Sequence, residues 1–443
     1  MTARRGQILI SLIISTGVFL ILAHAIFTLV FSSYEIISFT RARITALHFA
    51  QEKIELIRNL PYEDIGTVGG IPPGIINQTE LRTINGLPYL ARISIIYIDD
   101  PFDGTSPNDL LATDYKRVRV DVSWGGIAAS ESNPVTMISD IAPRGVETAT
   151  GGGTLSILVF NANGEPLEGA NVQIVANSVA PPVNLNLKTN SNGRVILPGA
   201  PICDSCYEIT VTRDGYSTDK TYSFAEVANP IKPHQTVLES QLTEISFAID
   251  KVSNIQVATT SSRDTAFAPL PYITFKLRGE KIIGTDTDDL PIYKYDRELS
   301  TNDQGILQIE GLEWDSYTFS LPAASSYNIA GSNPIIPFQL LPNSSLNFSV
   351  SLVTKTPNNL LTIFVDPNQS PIASVSAKLS DDAGFEATNS SGLSGNPDFG
   401  QAFFASLSKR LYTLVATASG FLNSNLNIDV DGTTVEKIIL TPQ

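Results

Sequence analysis

The sequence of 443 residues predicts a mainly β protein with one long N-terminal α-helix. A small helix-plus-sheet head and three tandem β-sandwich domains are expected along it. Three observations carry this reading. A helical pattern runs unbroken from Gln7 to about Leu60. Beyond it the chain alternates apolar and polar residues in short runs separated by Gly, Pro and Asn, the signature of strands and turns. Three stretches then repeat the same strand phrases at spacings of about 100 residues.

The helix comes first. Ile8 to Phe31 is a run of 24 residues without Asp, Glu, Lys, Arg or Pro, and His24 is the one ionisable side chain inside it. As helix it spans about 36 Å, enough to cross a hydrocarbon core of about 30 Å. Arg4 and Arg5 precede the run and the next basic residue is Arg41, which predicts a cytoplasmic N-terminus with the bulk outside. Ala23-His24-Ala25 has the form of a signal-peptidase site, but IFTLVF follows it directly, so the apolar segment does not end there. A plain single-pass anchor stays open. The transmembrane part is expected over 7–34 and an amphipathic part over 35–60. There Ile37, Ile44, Leu47, Ala50, Ile54 and Ile57 recur at spacings of three, four and seven, and are expected to face a partner. Arg43, Glu52, Lys53, Glu55 and Arg58 fall mostly on the other side. Pro61 ends the pattern, because proline removes a helical hydrogen bond and clashes with the preceding turn.

Net charge is −15, from 29 basic and 44 acidic residues. A nucleic-acid partner, which needs clustered Lys and Arg, is not expected. Charged residues are only 16% of the chain, which suits extracellular β-modules. With two cysteines, Cys203 and Cys206, each domain must bury its own core rather than rely on a disulfide framework.

A short basic leader ending in Gly6, an uncharged run and an amphipathic continuation together resemble the N-terminus of a type IV prepilin. The resemblance implies that a prepilin peptidase cuts between Gly6 and Gln7 and methylates Gln7. The leader is then 1–6 and the mature helix 7–60. It also implies that the helix holds the subunit in the membrane and later bundles with other pilin-like subunits. One residue departs from the family. Its usual Glu at the fifth mature position is Ser11 here. That carboxylate is held to pair with the N-terminal amine of a neighbouring subunit, and Ser11 cannot supply the charge. Subunits of this superfamily that lack the Glu include ones at the filament tip.

Residues 61–145 are expected as a pilin-like β head. Asn85-Gly86 marks a hairpin turn. Ile93, Ile95 and Tyr97 alternate with Ser94, Ile96 and Ile98, and Val118, Val120 and Val122 alternate with charged residues in KRVRVDVSW. PVTMISDIAP supplies a further strand. The loop DDPFDGTSPNDLLATD offers Asp99, Asp100 and Asp103 as calcium candidates, although its spacing is not that of an EF-hand, and a solvated acidic loop is the alternative.

A glycine-rich linker is expected over 146–153, then β-sandwiches over 154–250, 251–354 and 355–443. Each has an alternating opening strand (LSILVF, IQVATT, LTIFV), a Tyr-centred strand (Tyr207, Tyr317, Tyr412) and an alternating closing strand (EISFAIDK, LNFSVSLV, VEKIILTP). Gly164-Glu165-Pro166-Leu167-Glu168-Gly169-Ala170-Asn171-Val172, with the turns Thr189-Asn190-Ser191-Asn192-Gly193 and Thr301-Asn302-Asp303-Gln304-Gly305, resembles carboxypeptidase regulatory-like sandwiches of the prealbumin-like, Ig-like kind. That resemblance implies a fold and fixes no activity. Lys–Asn cross-links of related pilin modules are not carried over, because the first opening strand has no Lys.

Cys203-Asp204-Ser205-Cys206 lies in a β-turn context. In an oxidising exterior a small-loop disulfide between them is expected; a reduced pair, a metal site and a redox centre are the alternatives, although a redox CxxC belongs at a helix N-terminus. His24, His48 and His234 are the histidines. Without a G-x-S-x-G, H-E-x-x-H or P-loop phrase, neither an enzyme nor a cofactor is expected. Trp314, Tyr293, Tyr295 and Tyr327 could line a sugar-binding face or simply fill the core. The expectation is therefore a minor or tip pilin-like subunit that presents its sandwiches to an extracellular ligand or surface. The alternatives are a membrane-anchored adhesin outside any filament and an accessory module of an extracellular enzyme.

Overall fold

The computed structural model describes residues 3–100, 113–125, 134–143 and 152–443, with side chains from Gly17 onward. It is mainly β, with a single long N-terminal helix and several β-sandwich-like domains. The helix, α1, runs Ala3–Arg58, so the residues Gly6, Gln7 and Ser11 lie on one continuous rod. Its lipid-length part is bare: Phe19, Leu20, Ile21, Phe27 and Leu29 are each at least 60% exposed. Hydroxyls on the rod donate back to the preceding turn, Thr28 to the Ala25 carbonyl at 2.9 Å and Ser33 to that of Leu29 at 2.8 Å. In a hydrocarbon medium this removes the cost of unpaired polar groups.

Four antiparallel strands follow in sequential order. They are β1 (Thr79–Ile84), β2 (Leu87–Ile98), β3 (Tyr115–Trp124) and β4 (Val135–Ile141). Asn85 and Gly86 both take positive φ, 51° and 81°, as a two-residue hairpin turn requires. Tyr89, Ala91, Ile93 and Ile95 of β2 and Val118, Val120 and Val122 of β3 form the buried face against α1.

The helix face agrees with the spacing at Ala50, Ile54 and Ile57 and departs from it higher up. Ala42, Ala46, Phe49, Ala50, Ile54 and Ile57 are buried, while Ile37, Ile44 and Leu47 are at least 40% exposed. The reason is steric. Small Ala42 and Ala46 leave room under the sheet for Phe49, while Ile37, Ile44 and Leu47 stay on the flank.

The remainder is built from paired sheets. In the second sandwich, Ile306–Leu312, Ser253–Thr260, Ser345–Thr354 and Tyr327–Asn333 make one sheet. Asp296–Ser300, Thr274–Gly279, Asp315–Ser320 and Phe338–Leu340 make the other. The third pairs Gln401–Phe404, Asn359–Val365 and Thr433–Ile439 with Glu386–Ser390, Ser376–Ser380, Arg410–Thr417 and Ser424–Val430. In both, the opening strand lies parallel to the closing one. The first has Leu242–Ala248, Gly153–Phe160 and Arg194–Ala200 in one sheet, and Cys203–Thr212, Asn171–Ala176 and Val183–Lys188 in the other. By compactness the chain divides into two units. One holds 1–158, 171–210 and 234–246; the other holds 159–170, 211–233 and 247–443. Most of the expected linker over 146–153 lies outside the described residues.

Candidate assembly and presentation surfaces

The lower half of α1 is tied to the head by charge as well as packing. Arg82 of β1 reaches Glu52 of the helix at 2.9 Å and Glu80 at 2.9 Å, and Lys53 also pairs with Glu80. The Arg82 guanidinium lies 4.4 Å from the centre of the Phe49 ring. Phe39, higher on the helix, packs 5.7 Å from Trp124 at the end of β3. Glu52 and Lys53 thus clamp the edge strand, while Glu55 and Arg58 pair with each other on the exposed side at 3.2 Å.

Alternation puts Lys116 on the face of Val118, Val120 and Val122 but does not reveal what surrounds its ammonium. Lys116 sits on the buried side of β3, only 2% exposed. Its ammonium donates to the Tyr62 carbonyl at 2.7 Å and lies 4.3 Å from the Tyr62 ring and 5.6 Å from that of Tyr97. Burial lowers its pKa from the ordinary 10.5 to about 8, against the pull of Glu63 and Asp64. Burial, then Tyr97 and Asp114, raises that of Tyr62 from 10.0 to about 12. The consequence for stability has a definite sign. Between pH 8 and 10.5 the unfolded chain holds more protons at Lys116, so the head gains stability as pH rises, by up to about 3 kcal/mol. Above about pH 10 the folded chain holds more protons at Tyr62, and stability falls again. Melts of the head followed by Trp124 fluorescence, in a Trp314→Phe background, are expected to peak near pH 10. Lys116→Met is expected to remove the rise.

The acidic residues Asp99 and Asp100 follow β2, and the Asp100 N–H donates to an Asp114 carboxylate oxygen. Asp103 lies outside the described residues. Among the described residues no group of three His, Cys, Asp or Glu side chains is placed to hold a metal ion. The side chains of Gln7 and Ser11 also lie outside the description, and Gly6 has none.

Head and first sandwich meet within one unit. The Asn184 N–H donates to the Gly69 carbonyl at 2.5 Å, and the Gln78 amide donates to the Asn184 carbonyl at 2.5 Å and to that of Val68 at 2.9 Å.

The three anchor tyrosines do the same work in each sandwich. All are buried, and each hydroxyl donates to a carbonyl just upstream. Tyr207 reaches Pro201 at 2.7 Å, Tyr317 reaches Glu313 at 2.8 Å and Tyr412 reaches Ser408 at 3.1 Å. The hydroxyl pins the turn that leads into the strand while the ring fills the core.

Cys203 and Cys206 are joined through their sulfurs, with Cα atoms 6.0 Å apart. The turn between them is braced by Thr236, whose hydroxyl accepts from the Ser205 N–H at 2.9 Å and donates to Asp204 at 2.8 Å. Closing so short a loop restricts the unfolded chain by about 2 kcal/mol. The double variant Cys203→Ser, Cys206→Ser is expected to lose about that much in denaturant titration.

The four aromatics considered for a sugar face do not offer free rings together. Tyr295 stands edge-on to Tyr317 at 5.8 Å, and Tyr327 packs on the second core. Arg278 covers Tyr293 at 4.2 Å and the Lys281 ammonium covers Trp314 at 3.3 Å. Lys281 is held there by Glu313 at 2.8 Å, which also takes Lys294 at 2.6 Å.

A further surface is a strap. Residues 211–233, the last two of the Tyr207 strand and the segment after it, group with the second unit. Asn229 and Pro230 pair antiparallel with Thr285 and Gly284, and the Ile231 N–H donates to the Ile283 carbonyl at 3.0 Å. Gly284 is required, because a Cβ there would sit 2.4 Å from the Asn229 carbonyl oxygen and 2.5 Å from Val227.

No family model and no curated protein matches the chain. Among solved structures it is similar to the TIE protein of Bacillus anthracis at 14% identity and TM-score 0.19, over 83% of this chain and 75% of that one. A streptococcal ancillary pilin gives 13% and 0.19, over 66% and 99%. The shaft pilin of Lactobacillus rhamnosus GG gives 13% and 0.18, over 44% and 98%. Likenesses at this level carry no argument about function.

Proposed function

We propose that the chain is a minor or tip subunit of a type IV pilus-type filament, with its sandwiches presented for adhesion or binding outside the membrane. The observation that carries the reading is α1. One helix is bare and apolar over a membrane's thickness, and its far end becomes the core element of a four-stranded head. A plain anchor needs no such continuity. A filament subunit does, because the same rod must leave the bilayer and be reburied among neighbouring rods while the head stays attached. The exposed Ile36, Ile37, Ile44 and Leu47 supply apolar surface for those neighbours. In this reading a prepilin peptidase cuts between Gly6 and Gln7, and other pilin-like subunits are the partners. Ser11 leaves the subunit without the carboxylate that would take up the amine of a subunit ahead, which suits a tip position. The sandwiches meet an extracellular ligand or surface and carry out no catalysis.

Mass spectrometry of the mature N-terminus from native membranes tests this. The expected species begins at N-methylated Gln7. An intact Met1 would leave an anchored adhesin, and a start at Ile26 would mean a conventional signal peptide; either would overturn the filament reading.

A further inference from the structure

The second and third sandwiches are joined by far more than the few residues between Thr354 and Asn359. An insertion over 321–337 separates the strands Asp315–Ser320 and Phe338–Leu340 of the second sandwich. The corresponding connection in the third, 418–423, is a short turn. The insertion carries the strand Tyr327–Asn333, which pairs with Ser345–Thr354 and lies against Gln401–Phe404 of the third sandwich. Gln401, 1% exposed, imitates a strand neighbour there. Its amide donates to the Ser332 carbonyl at 2.6 Å and accepts from the Ser332 N–H at 3.2 Å. The Asn333 amide donates to the Asn396 carbonyl at 3.0 Å.

Two further contacts close the joint. Arg263, on a short turn of the second sandwich, holds the Asp398 carboxylate through Nε at 2.8 Å and Nη2 at 2.5 Å, and donates to the Ser390 carbonyl at 2.7 Å. Asp398 is 6% exposed, so parting the sandwiches would leave its charge without a partner or force its rehydration. Apolar surface is shared as well. Leu361, Ile363 and Val365 form a cluster with Ile335 and Phe403. All seven residues of the strand Asn359–Val365 are buried, one face by its own core and the other by this joint.

We propose that the two C-terminal sandwiches form one mechanical block, in which neither turns nor opens without the other. A surface carried by the third is then presented at a fixed angle to the second, and a pull on one is shared by both cores. The proposal does not depend on how the helix is used.

Native-state hydrogen exchange of the full chain in detergent micelles, across denaturant, tests it. Amides of Thr274–Gly279 and Arg410–Thr417 report the two sandwiches. In the unaltered chain both sets are expected to exchange through one opening with the same denaturant dependence. Arg263→Met removes the partner of Asp398. Gly331→Val drives a side chain into it, since a Cβ at Gly331 would lie 2.7 Å from the Asp398 Cα and Cβ. Either variant is expected to split the opening in two, with one sandwich exchanging at least about tenfold faster than the other. Separate openings in the unaltered chain, or a common opening unchanged in Arg263→Met, would overturn the proposal. Should Gly331→Val unfold the second sandwich outright, Arg263→Met decides alone.

Discussion

Replacing Phe49 by alanine is expected to cost the head about 3–5 kcal/mol and to free it from its helix. Phe49 is 2% exposed and lies between alanines 46 and 50, so nothing nearby can collapse into the space it would leave. Its loss also removes the ring under Arg82, whose bonds to Glu52 and Glu80 hold β1 against the helix. Those exposed ion pairs contribute little by themselves, so the cavity dominates. The check is limited proteolysis of the full chain in micelles beside its fluorescence melt. The variant should be cut between Arg58 and β1 under conditions where the unaltered head resists. Resistance equal to the unaltered chain would show that the sheet does not need α1.

Tyr317→Ala is expected to be comparably damaging in the second sandwich, about 3–5 kcal/mol, and Tyr317→Phe to cost only about 1 kcal/mol. The ring is 1% exposed and sits between Tyr295 and Phe338, at 5.8 and 6.3 Å. Phenylalanine keeps that packing and loses only the bond to the Glu313 carbonyl. The ratio between the two variants separates ring from hydroxyl. Hydrogen exchange of Thr274–Gly279 reads both. Because of the joint described above, the alanine variant should also raise exchange in Arg410–Thr417. Equal losses for Phe and Ala would mean that the hydroxyl, not the ring, is the anchor.

The amino-acid sequence determined the elements whose cause is local. A helix needs only its own spacing and a proline to stop it, and Pro61 follows the end of α1 by three residues. Asn85-Gly86 determined a hairpin because few other residues accept two positive φ values in succession. The alternation of Val118, Val120 and Val122, and the recurrence of Tyr207, Tyr317 and Tyr412, marked some of the residues that fill each core. Only the tertiary structure decided which side of α1 is buried above Ala50. Spacing marked Ala50, Ile54 and Ile57, but it cannot tell that above them Ala42, Ala46 and Phe49 meet the sheet in place of Ile37, Ile44 and Leu47. Lys116 falls in step with Val118 and Val120, but the partners that receive its ammonium, Tyr62 and Tyr97, are distant in sequence and no alternation records them. The joint between the last two sandwiches depends on Arg263 meeting Asp398 and Ser332 meeting Gln401. Those pairs are separated by 135 and 69 residues, and no local pattern records such a meeting, because the contacts form only once each sheet has folded.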